Sequence, residues 1–75
     1  MDERLYSFRL FEQKEFYCEL HRIITPTDAA SISDQIIHIV SGLLNSFKSV
    51  NMIEVFNKNQ KIEIFIKSKI WHYDS

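Results

Sequence analysis

An α+β fold is predicted: hairpin, helix, hairpin, giving a four-stranded sheet with one helix packed on one face. Residues 4–11 and 15–24 alternate apolar and polar side chains around the polar break Glu12-Gln13-Lys14. A long stretch with apolar residues at three- and four-residue spacing follows, and two more alternating segments flank Lys58-Asn59. Period two is the mark of a half-buried strand, and period 3.6 that of an amphipathic helix. The 75 residues support a single domain, 1–75, with a hairpin over 4–24, a helix over 26–48 and a hairpin over 50–73.

In the first strand Tyr6, Phe8 and Leu10 share one face, and Ser7 and Arg9 the other. In the second, Phe16, Cys18, Leu20 and Ile24 alternate with Tyr17, Glu19 and His21. A one-residue slip turns a whole strand over. A two-residue turn at Gln13-Lys14 would put Tyr6, Phe8 and Leu10 on the face of Glu19 and His21. A three-residue loop instead sets Leu10 opposite Phe16, Phe8 opposite Cys18 and Tyr6 opposite Leu20, so the odd loop is expected.

Thr25-Pro26-Thr27-Asp28 reads as a helix start, with Thr25 as N-cap, Pro26 at the first helical position and Asp28 where a capping box wants an acid. Ile32, Ile36, Ile39, Val40, Leu43 and Phe47 form the apolar stripe, widened by Ile37 and Leu44; Ser31, Ser33, Asp34, His38, Ser41 and Asn45 face water. Gly42 within this run costs about 1 kcal/mol relative to Ala, and close approach to the sheet is the expected reason for it.

A two-residue turn at Lys58-Asn59 sets Val55 opposite Ile62 and Ile53 opposite Ile64 in the core, with Met52 opposite Phe65 and Phe56 opposite Lys61 on the far face. Glu54 facing Glu63 is the poor pair of this register. Along 61–73, Ile62, Ile64, Ile66 and Ile70 take the core phase. Phe65, Trp71 and Tyr73 take the other, among Lys61, Lys67 and Lys69. Phe8, Leu20, Ile36, Leu43 and Ile64 are the expected heart of the core.

A helix crossing one face after the first hairpin returns the chain so that the first and last strands lie parallel in the middle. That is a β-grasp-like sheet of order 2-1-4-3, favoured by right-handed crossover. A fully antiparallel sheet, the hairpins joined at other edges, is the alternative.

One helix covers one sheet face. The other carries Arg9, Glu19 and His21 and the candidate interface residues Tyr17, Met52, Phe56, Phe65, Lys67, Lys69, Trp71 and Tyr73. Contiguous apolar surface of this kind marks an interaction site, and its residue types are those enriched in interface cores. The expected function is a small non-enzymatic protein–protein interaction module. It would act as a regulator or inhibitor, with another protein or a second copy as partner, and homodimerisation needs only one self-complementary patch.

Single-stranded nucleic-acid binding is the alternative, since aromatics for bases and lysines for phosphates make a suitable platform. Nine basic against ten acidic side chains, a net charge of −1, weigh against it. A ribonuclease-like enzyme using a surface histidine is the second alternative. His21 would work with Glu19, Tyr17 and Lys67; His38 falls on the polar helix face and His72 at the end of the core phase. No His/Cys pair stands at metal-ligand spacing, so neither a metal nor a small-molecule cofactor is expected. The one cysteine, Cys18, takes the core phase and reads as a small hydrophobe. With no disulfide pair, a Met1-Asp2-Glu3-Arg4 start unlike a signal peptide and no bilayer-length apolar run, the chain is expected in the cytoplasm, away from membranes.

Overall fold

A computed structural model describes residues 4–67. Strand β1 (Leu5–Glu12) pairs with β2 (Glu15–Ile23); helix α1 (Ile32–Ser46) follows, then β3 (Met52–Asn57) and β4 (Gln60–Ile66). One four-stranded sheet results, in the order β2-β1-β3-β4, with every pairing antiparallel. This is the antiparallel form of the predicted α+β fold, not the 2-1-4-3 order. The hairpins meet at β1 and β3, where Phe8 lies opposite Val55 and Leu10 opposite Ile53. All four are fully buried. Placing β3 inside puts the most apolar face of the second hairpin against that of the first; β4, with Lys61 and Glu63, takes the edge.

The helix covers one face. Ile36, Val40, Leu43 and Leu44 are buried from α1, Tyr6, Phe8 and Leu10 from β1, Ile53 and Val55 from β3, and Ile24 and Val50 from the flanking loops. Cys18, Leu20, Ile39 and Phe47 pack around this cluster. Burying a Val, Leu, Ile or Phe side chain stabilises by about 1.5–3 kcal/mol. Leu20 is only half-buried, and Ile64 is 45% exposed, so Ile64 is not a core residue.

Both turns have two residues, and all four turn residues have positive φ: Gln13 51°, Lys14 75°, Lys58 55° and Asn59 66°. Turns of this hand match the twist of the strands they join. In the first hairpin such a turn would put the apolar faces out of phase, and a bulge corrects it. In the first hairpin Phe11 faces Phe16, but Leu10 faces Cys18, so Tyr17 is the extra residue. The phase expected from an odd loop is thus reached for Cys18 and Leu20 by a bulge instead, with Phe8 opposite Leu20. Phe16, outside the bulge, turns away from the core and is 58% exposed.

In the second hairpin Phe56 faces Lys61, as the sequence predicts, but Val55 faces Glu63, so Ile62 is extra. The bulge separates the two carboxylates that a regular ladder would set face to face. Glu54 now accepts from Lys61 Nζ at 3.2 Å. The shift also turns Phe65 inward, opposite Ile53, and Ile64 and Ile66 outward.

The helix begins later than expected. Ser31 is the N-cap, its Oγ accepting from the Asp34 N–H at 3.1 Å. Thr27 instead closes a turn: its Oγ1 accepts from the N–H groups of Ala29 (3.2 Å) and Ala30 (3.0 Å). That commits the donors a helix starting at Pro26 would have needed for its own ladder. Gln35 Nε2 donates to the Thr25 carbonyl at 2.7 Å and ties the loop to the helix. Gly42 is exposed, and a Cβ there would meet nothing within 4 Å. Close approach to the sheet is not the reason for it.

Candidate interaction surface

Among the described residues nothing covers the sheet face opposite α1. Neighbouring strands place the outward side chains in rows, because residues paired across a ladder point the same way. One row runs Phe16, Phe11, Met52, Ile66 across all four strands. Phe11 and Phe16 meet edge to face, their ring centroids 5.9 Å apart, a preferred aromatic geometry. The next row runs Glu19, Arg9, Glu54, Ile64. Arg9 Nε donates to Glu19 Oε1 at 3.0 Å, and its guanidinium lies over the Phe56 ring at 4.6 Å. The third row carries His21, Ser7, Phe56 and Lys61.

His21 Nε2 lies 2.7 Å from Glu19 Oε2. A carboxylate only accepts, so Nε2 carries the proton of this bond. The bond holds the Glu19 carboxyl below the usual range; Arg9, by hydrogen bond and charge, lowers it further, and partial desolvation works against both. A shallow depression of about 240 Å³ lies over this cluster, lined by Ser7, Arg9, Glu19, Phe56 and Asn59.

Met52 and Phe56 lie on the open face, as expected. Tyr17 does not: as the bulge residue it turns to the helix side, its ring 5.9 Å from that of Phe47. Phe65 packs on the core beside Ile53. Lys67 points to the helix side, where Nζ donates to the Lys48 carbonyl at 3.1 Å. Lys69, Trp71 and Tyr73 lie outside the described residues, as do Ile70 and His72. With Tyr17 and Lys67 turned away, the His21 cluster consists of His21, Glu19 and Arg9. In exchange, Phe16, Phe11, Ile64 and Ile66 join the open face. Phe11 follows from alternation with Leu10, whereas nothing in the sequence marks Phe16, Ile64 and Ile66, because their direction depends on the two bulges.

A second apolar depression, about 360 Å³, lies between α1 and β4, lined by Ile32, Ile36, Ile37, Ile62, Glu63 and Phe65. Ile37 is 52% exposed. Among the described residues no group of His, Cys, Asp and Glu could hold a metal, and no helix is long and apolar enough to cross a membrane. No family model, curated protein or solved structure matches this chain.

Proposed function

We propose that the chain is a non-enzymatic protein–protein interaction module, a regulator or inhibitor that docks its partner on the open face of the sheet. The row Phe16–Phe11–Met52–Ile66 carries this reading: apolar side chains cross the whole sheet with nothing of the described chain above them. Phe and Met are enriched in interface cores, and covering Phe16 is worth on the order of 1–2 kcal/mol. The ion-paired Glu19–Arg9 row beside it suits a polar rim. The same pairing weighs against nucleic acid. Arg9 and Lys61, cations of this face among the described residues, are each engaged by a carboxylate, Glu19 and Glu54, and phosphate would have to displace both.

The test compares three forms of the full chain as bait: wild type, Phe16→Glu, and His38→Glu on the opposite, helical surface. A partner held by wild type and His38→Glu but bound at least about tenfold more weakly by Phe16→Glu supports the reading. Equal capture by all three removes it. Titration of wild type with single-stranded RNA, showing binding that falls steeply with salt, would replace it with nucleic-acid recognition.

A further inference from the structure

We infer that the open face docks a second copy of this chain, about a two-fold axis that runs along the strands over the β1–β3 seam, an inference that rests on the reading of that face as a docking surface and names its occupant.

A surface that meets its own copy must complement itself under a two-fold rotation. The strand order β2-β1-β3-β4 fixes what each rotation brings together. An axis along the seam sends β1 over the partner's β3 and β2 over the partner's β4, and lays each row over the same row. The apolar row then closes on itself: Phe11 meets the partner's Met52, and Phe16 the partner's Ile66. In the middle row Arg9 comes over the partner's Glu54, and Glu54 over the partner's Arg9. Opposite charges thus meet twice. In the third row Ser7 lies over the partner's Phe56.

The other in-plane axis, across the strands, lacks this fit. Centred on the middle row it sets Arg9 over the partner's Arg9 and Glu54 over the partner's Glu54, like on like. Centred on the apolar row it carries the remaining rows past the strand ends, because Met52 and Ile66 are the first and last residues of their strands. The net charge of the face also suits a copy. Among its described residues Arg9 and Lys61 balance Glu19 and Glu54. A face of one sign would repel its own copy and select an oppositely charged protein.

Sheets packed face to face keep their strands within about 30° of each other. Residues beside the axis shift least under that rotation, so Phe11, Met52, Arg9 and Glu54, which flank the seam, set the register. Glu19 and His21 on the outer strand, near the partner's Ile64 and Lys61, shift most, and Glu19 keeps its bonds to Arg9 and His21. Desolvating Arg9 and Glu54 costs free energy, and the two pairs between copies offset that cost. Three rows on four short strands make a small interface, so the dimer is reversible, with a dissociation constant of about micromolar or weaker.

Sedimentation of the full chain from about 1 µM to about 1 mM tests it. Wild type should pass from monomer to dimer across this range. Phe16→Glu should weaken the dimer at least about tenfold. Arg9→Glu and Glu54→Lys should each do the same alone, because each sets two pairs of like charge across the axis. Mixed in equal amounts, these two variants should dimerise with each other, since every pair across the axis is then again of opposite charge. Circular dichroism identifies variants that keep the wild-type fold; Phe16→Glu, at a side chain 58% exposed, keeps the test decisive where a charge reversal unfolds the chain.

A monomer at every concentration overturns the inference. So does a dimer indifferent to Phe16→Glu, or one that folded Arg9→Glu and Glu54→Lys leave intact. A monomer whose capture of a foreign protein is still lost in Phe16→Glu overturns the choice of occupant alone and leaves the open face as a docking surface. A dimer indifferent to Phe16→Glu, with equal capture by all three baits, removes both.

Discussion

Glu19 concentrates the electrostatics of the open face in one side chain. It accepts from His21 through one oxygen and from Arg9 through the other, and its carboxyl is lowered in the folded chain. A group with a folded value below its unfolded one stabilises the fold above the unfolded value, and the contribution is lost as pH falls through the folded value. Wild type should therefore lose stability against urea on the acid side more steeply than Glu19→Gln, and the two midpoints should converge at low pH. The effect is small because the pair is solvent-exposed and screened. Parallel curves from neutral to acid pH would show that the bonds contribute nothing to folding.

At the scale of elements, the helix start offers a direct choice. Thr25-Pro26-Thr27-Asp28 and Ser31-Ile32-Ser33-Asp34 carry the same capping pattern, and only the second is used. Ser31→Ala should cost about 1 kcal/mol of stability in chemical denaturation, and Thr25→Ala close to nothing. The reverse ranking would return the helix start to Pro26. The sequence held this answer in part: the apolar stripe begins at Ile32, one residue after the cap in use.

The positions of the strands, the Lys58-Asn59 turn and the residues of β1 and β3 that enter the core were legible from period two alone; the two-residue length of the first turn was not. The bulges at Tyr17 and Ile62 were not. A bulge inserts an ordinary residue with no mark of its own. Its cause lies across the ladder, in the mismatch a two-residue turn imposes and in the repulsion of Glu54 and Glu63. Since each bulge reverses everything beyond it, Phe16 and Ile64 left the expected core, and Tyr17 and Phe65 left the expected surface. Of the candidate surface residues, Met52 and Phe56 lie on the open face and Tyr17, Phe65 and Lys67 do not, while Lys69, Trp71 and Tyr73 lie outside the described residues.

At the scale of the molecule, right-handed crossover favoured the order 2-1-4-3 with the last strand central. The antiparallel alternative is the one formed, and the unbroken burial of Ile53 and Val55 identifies β3 as the interior strand. The β1–β3 seam between the hairpins has a kinetic consequence. Each hairpin closes locally through a two-residue turn, an event of about 1–10 µs. The seam joins residues from opposite ends of the chain and must wait for the loop through α1 to close, so it sets the folding rate. Val55→Ala, on the seam, should slow refolding in stopped-flow experiments. Ile64→Ala, on the outer strand, should act mainly by speeding unfolding, if it acts at all. The rate at which this small protein becomes itself is thus governed by one line of contact, and sequence changes on β4 are free to accumulate without altering how fast it forms.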